Sequence, residues 1–427
     1  MIDQDPGLRA SSRAIRTILF TTLSLVLLTA CKRREPSAKA FWAADSAGVT
    51  IVESTHPLWE SGEGWTLSRE PEVVIGLAEG DERYLLSQVA GVRRLSDGRI
   101  AILDAGSNRV RVYDSTGRHL MDLGGEGDGP SEFRFPQFLG LASDTLFVYE
   151  QRGRNLTWFA PDGQFIRTSD VRRQTDVEIP SFAMFGYVED RVGIVIADRT
   201  RSLVEGLNRV PWQIWRFDLF NSDADSLFSV PGAEEMIAFP DPGRPGLTRH
   251  RPHVFGKFTQ LAASTNRVYV APTDAFSIQV FDPEGILRRI IRRVVTPRSV
   301  TPSDLDQWVE GQLELRNPPP EERAEMIRTA GELSVAETMP AFRWIAVDTE
   351  NDLWVEEWEG VGLDQGRFAV FRSDGAWLGY VDLPEGLPQS RGDPYQQLIE
   401  IGSDYLLGVW TDDYGVEQVR LYRIEKR

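Results

Sequence analysis

The chain has 427 residues, carries 64 Asp and Glu against 47 Lys and Arg, and has a formal net charge of -17. That balance repels nucleic-acid phosphates and anionic lipid headgroups, so neither is an expected partner. A single cysteine excludes an internal disulfide, so the fold must be held by a core drawn from the 41% of residues that are hydrophobic.

The first thirty residues have the layout of an export signal. Arg9, Arg13 and Arg16 precede an apolar run from Ile18 to Ala30, shorter than the roughly 20 residues a spanning helix needs and ending in small residues. Leu28-Thr29-Ala30-Cys31 resembles the bacterial lipobox, which implies cleavage before Cys31, a diacylglycerol on its sulfur and an acyl chain on its new amine. An uncleaved anchor with an incidental cysteine is the competing reading. The expected organisation is a signal peptide over 1–30, a flexible tether over 31–48 and a propeller over 49–427. Two or more acyl chains hold a protein on a membrane, where one does so only marginally. The protein is therefore expected in the bacterial cell envelope, lipid-anchored on the periplasmic or surface side of a membrane. Lys32, and not an aspartate, follows the cysteine, which favours the outer membrane.

Beyond the tether one unit recurs. Its clearest copy, residues 89 to 124, has four short β-prone runs separated by Asp-Gly, Gly-Ser-Asn and Ser-Thr-Gly turns. The third run is the most regular marker: RVYD, TWFA, WRFD, QVFD, AVFR and RLYR end at Asp114, Ala160, Asp218, Asp282, Arg372 and Arg423. Four-stranded units at such spacing are the signature of propeller blades, against an irregular β-sandwich. Six blades are expected. The last copy stops without a fourth strand, so Glu72 to Ile75 is expected to close the ring, which also protects edges. The stretch 231–257 reads as a long loop. A helical insert is expected at about 300–338, between blades four and five, with a serine N-cap in SDLDQW.

DAGSNRVRVYD (104–114) and GGEGDGPSEFRFP (124–136) closely resemble the NHL-repeat pattern. The lipobox, six blades and late insert together resemble bacterial lipoproteins described only as six-bladed β-propellers. That resemblance implies the fold and no settled activity, because one fold hosts many functions.

The innermost strands expected to line the channel are VAGVRRL, FLGLA, FAMFGYV, FTQLAA, FRWIAV and QLIEI. Glu400 is their only carboxylate, and they hold no His or Asn, which departs from a calcium-dependent lactonase-type axis with its many oxygen ligands. Zinc chemistry needs several converging His, but His56, His119, His250 and His253 are scattered, so neither metal nor cofactor is expected. Asn221, Asp223 and Asp225 alternate like the start of a calcium loop but lack its later Gly and Glu. Gln260, Arg343, Gln397 and Glu400 are the expected polar channel groups. The loops of the expected ligand face bring Arg109, Arg152, Arg154, Arg199, Arg201 and Arg209 from blades one to three. Blades five and six add Trp358, Asp364, Trp410, Asp412 and Tyr414 there. Basic on one side and acidic with aromatics on the other, that face suits a protein, peptide or glycan ligand. Two functions follow: a binding or scaffolding module, or a hydrolase or lyase at the channel mouth.

Overall fold

The computed structural model describes residues 40–150, 155–170, 182–188, 192–198, 204–219, 224–238, 249–358, 366–384, 398–412 and 414–426. Asp-x-x-Gly turns set the blade pattern locally. In blade one, Asp114 Oδ1 accepts the N–H groups of Thr116 and Arg118, and Gly117 takes φ +84°, a region that favours glycine. Asp282 and Gly285 repeat the device in blade four, with φ +80° at the glycine. Each such turn joins the third strand to the fourth and fixes their register.

Six blades result. Blade one comprises Val89–Arg94, Ile100–Asp104, Arg109–Tyr113 and His119–Gly124. Blade two comprises Pro136–Ala142, Thr145–Glu150, Asn155–Phe159 and Phe165–Asp170, and blade three Phe182–Val188, Val192–Asp198, Trp212–Asp218 and Ala224–Val230. Blade four is Thr259–Ser264, Arg267–Pro272, Ser277–Phe281 and Leu287–Arg293; blade five is Trp344–Val347, Leu353–Glu356, Arg367–Phe371 and Trp377–Asp382. Blade six has only Ile399–Ile401, Tyr405–Thr411 and Glu417–Lys426 from its own repeat.

The N-terminal segment completes the ring as the sequence implies. Val73–Ile75 pairs antiparallel with the last strand, Val73 opposite Leu421 and Ile75 opposite Val419. Trp65–Leu67 pairs further along the same strand, opposite Ile424 to Lys426. Between those strands and blade four, the N–H groups of Leu58 and Trp59 donate to the carbonyls of Trp377 and Leu378. Residues 49–75 thus strap blades four, five and six together.

The core is distributed among the blades. Each of the six junctions between neighbouring blades holds its own apolar cluster: Leu103 with Leu139, Trp158 with Trp215, and Ile194 with Val270 mark three of them. Val280 with Val355, Trp354 with Tyr422, and Val409 with Ile102 mark the others. Trp158 and Trp354 are fully buried, and burying a large side chain contributes about 1.5–3 kcal/mol.

Three local expectations change. Residues 41–46, placed in the tether, form a strand that pairs with Val49–Ser54, which in turn adds in parallel to Leu287–Arg293 and makes blade four six-stranded. The alternation of Phe41-Trp42-Ala43 is too short to stand out beside the polar tether. The stretch 231–257, read as a loop, contains Glu234–Ala238, Arg249–Arg251 and His253–Val254; the first two join Gly206–Arg209 in a three-stranded sheet. Its Pro and Gly content masked the pattern. The insert holds two helices, α1 (Pro302–Arg316) and α2 (Pro320–Thr329). Thr301, not Ser303, is the N-cap of α1, because Pro302 fits the first helical position and Asp304 completes a reciprocal capping box. Among the described residues no helix is long and apolar enough to cross a membrane.

Candidate functional site

A cavity of about 310 Å³ lies on the propeller axis, lined by residues from the innermost strand of every blade. Its lining is concentrated at the C-terminal ends of those strands, at Arg93, Arg94, Leu141, Tyr187, Ala263 and Val347, and continues into the first hairpins at Thr265 and Thr349. The cavity therefore lies towards the hairpins that join first and second strands. The loops that carry the sequence-predicted ligand face belong to the other end.

The charged part of the wall is built by neighbours across the junction of blades six and one. Glu400, in the middle of its short strand, has 15% of its side chain exposed. Its Oε1 accepts the Arg94 backbone N–H at 3.0 Å and the Tyr405 hydroxyl at 2.5 Å, while Oε2 lies 3.7 Å from Arg93 Nε. Burial pushes the Glu400 carboxyl up, against the opposing pull of the Arg93 guanidinium and the Tyr405 hydroxyl. The same burial, with the carboxylate beside it, pushes the Tyr405 phenol up. Arg93 is buried, donates to its neighbour Val92's carbonyl at 2.7 Å and lies 5.7 Å over the Phe138 ring. The Arg94 guanidinium lies 4.5 Å over the Tyr405 ring.

The two arginines reach the cavity as consecutive residues because both faces of the innermost strand border it: Arg93 lies over Phe138 of blade two and Arg94 over Tyr405 of blade six. The bulge at Ala90 lies upstream, and from Gly91 to Arg94 the pairing is regular. The visible sequence signal was the pair of adjacent arginines closing the innermost strand VAGVRRL.

The predicted channel groups divide. Glu400 lines the cavity. Gln260 is buried nearer the start of its strand; its Nε2 donates to the Arg343 carbonyl at 2.8 Å, and its Oε1 has no hydrogen-bond partner among the described residues. Arg343 stands 3.6 Å from the buried Glu356, whose carboxyl burial pushes up, and 5.0 Å from the Trp358 ring. Gln397 lies outside the described residues.

Of the predicted ligand face, Arg152, Arg154, Arg199, Arg201 and Asp364 also lie outside the described residues. Arg109 pairs with Asp122 at 3.2 Å, and Arg209 forms a two-pronged pair with Asp274 at 2.6 and 2.7 Å. Trp358 packs edge-on to Phe255 and joins the apolar cluster that seats α1. Trp410 is buried against Tyr422. Asp412 accepts the N–H groups of Tyr414 and Val416 in its own turn. Tyr414 stands in solvent, 92% exposed, and Arg109 and Asp412 are exposed as well. Among the described residues no group of three or more His, Cys, Asp or Glu is placed to hold a metal ion.

Fold and site together define a six-bladed β-propeller with a partly charged axial cavity. Among solved structures, the chain is similar to an exported protein from Bacteroides fragilis, at 12% identity and a TM-score of 0.45 over 88% of this chain and 99% of that one. It is also similar to a member of the DUF4221 family from Bacteroides vulgatus, at 11% and 0.49 over 86% and 99%. A calcium-binding protein, regucalcin, from Agrobacterium tumefaciens matches at 11% and 0.36 over 85% and 95%. No protein-family model matches the chain. No curated protein matches it.

Proposed function

We propose that this protein is a lipid-anchored, extracytoplasmic binding propeller of the bacterial envelope, which receives part of a protein, peptide or glycan in its axial cavity. One observation carries the reading. All six innermost strands contribute to a single cavity whose walls are held by blade-to-blade packing, a preformed concave site of the kind that ligands use. The anchor rests on the LTAC stretch and the apolar run before it.

The test is capture in the native envelope with a photo-crosslinker at Thr349, an exposed residue of the cavity mouth. A discrete adduct is expected, and it should disappear when Thr265, in the first hairpin of the neighbouring blade and also exposed, is changed to Trp. Adducts that persist in the Thr265→Trp protein, or none at all, would sink the reading. Labelled palmitate should enter the wild type and not the Cys31→Ser variant; the opposite result removes the anchor.

A hydrolase or lyase is the second reading. It is favoured by the raised Glu400 carboxyl in contact with a phenol, a pair suited to proton transfer. Turnover of the captured ligand by wild type but not by Glu400→Gln would replace binding with catalysis.

A further inference from the structure

Resting on the axial cavity as the binding site, we infer that Arg94 makes it a receptor for a carboxylate carried on an apolar body.

Most of the polar groups on the cavity wall already have partners. Glu400 is already engaged: one oxygen takes the Arg94 backbone N–H and the Tyr405 hydroxyl, and the other faces Arg93. The Tyr187 hydroxyl donates to the Leu141 carbonyl and accepts the Leu141 N–H. Ser264 donates to Asn351 Oδ1 at 2.6 Å. The Asp348 carboxylate is turned into its own hairpin, where it accepts the N–H groups of Glu350 and Asp352 and the Trp354 indole. The Arg94 guanidinium differs from all of these. Among the described residues it has the Tyr405 ring beneath it and makes no hydrogen bond or ion pair at contact distance.

Charge and shape then select the ligand. Beside Glu400, two guanidiniums face one engaged carboxylate, a local surplus of one positive charge; the other acidic group of the lining, Asp348, is turned into its own hairpin. A single carboxylate balances that surplus and matches the fork of N–H donors that arginine presents. A phosphate dianion would over-fill the charge beside Glu400. Contact with the Tyr405 ring at 4.5 Å restrains the guanidinium, so less freedom is lost on binding. The remaining wall, from Leu141, Phe185, Leu261, Ile345 and Ile399, is apolar and suits the body of the ligand. A free organic acid and the C-terminus of a peptide share this chemistry.

Calorimetric titration of the full-length protein separates the cases. The probes are 3-phenylpropanoate and its amide, and acetyl-Gly-Phe with a free or an amidated C-terminus. Saturable binding of an acid is expected, at least tenfold tighter than its amide, and Arg94→Gln should erase that preference while Arg94→Lys keeps part of it. Preference for the dipeptide acid over phenylpropanoate identifies a peptide end, and the reverse a free acid. Equal binding of acid and amide, or an acid preference that survives Arg94→Gln, overturns the inference. The acid-to-amide comparison on the unaltered protein decides even where a variant fails to fold. If no probe binds, the inference fails, while the cavity reading stands or falls on the Thr349 capture alone.

Discussion

Two regions of this propeller bury a carboxylate beside arginine and use it differently. In blade one, Asp104 is fully buried and accepts from the Ser87 and Ser107 N–H groups, the Ser107 hydroxyl and Arg111 Nε, the last at 2.8 Å. Arg111 in turn donates to the Glu82 carbonyl, so the whole network ties the entry loop to the blade. At the axis, Glu400 has fewer partners, borders a cavity and, among the described residues, leaves the neighbouring Arg94 guanidinium with only the Tyr405 ring. A carboxylate saturated by N–H groups closes a structure. One left short of donors beside open space keeps a place for something else.

The contrast can be broken by substitution. Asp104→Ala should have the largest effect, because it strands Arg111 and several N–H groups in the interior. A loss of about 3–5 kcal/mol is expected from denaturant unfolding, and a loss below about 1 kcal/mol would make Asp104 no more structural than Glu400. Next is Asp352, in the hairpin beside the cavity, pushed up to about 6 by burial and then by the nearby Asp348. A carboxyl raised in the folded state from its ordinary 3.8 contributes stability below about pH 4 and loses it as pH rises through about 6. Asp352→Asn can still accept the Ser373 N–H. It should therefore gain about 1–2 kcal/mol at pH 7 after allowance for solvent screening, and nothing at pH 4. A gain of equal size at both values would remove the titration argument.

Glu400→Gln keeps the shape and should change stability by about 1 kcal/mol or less, since burial already disfavours the charge. It should nonetheless alter ligand capture at Thr349; unchanged capture with a large stability loss would move Glu400 into the structural class. Smallest of all, Tyr414→Ser should leave the unfolding midpoint where it is, because the side chain stands in solvent. A change in capture there would restore the opposite loop face as a ligand surface.

Much of the fold was legible because its markers are local. The aromatic before the end of each third strand, the Asp-x-x-Gly turns and the missing last strand are properties of short stretches, and each maps onto a blade. Glu400 was legible too, as the only carboxylate of the innermost strands. Arg93 and Arg94 were not, because alternation along a strand points to one lining face, whereas the innermost strand presents both faces to the cavity. Tyr405 was hidden for another reason: it opens the second strand and reaches the axis only by folding back on Glu400. Trp358 and Trp410 were expected in solvent, but their surroundings depend on α1 and on Tyr422, partners that spacing along the chain does not reveal.

The strap over residues 49–75 has a consequence for how the protein comes into being. Its strands Trp65–Leu67 and Val73–Ile75 precede every blade, yet their partners, Val419 to Lys426, belong to the sixth. The ring therefore has no closed form until nearly the whole chain has been delivered, and closure joins segments of very large sequence separation, a slow step. A chain that cannot close early stays threadable, which would suit the export proposed above; the strand pairings that seal the ring would then also time its folding to the far side.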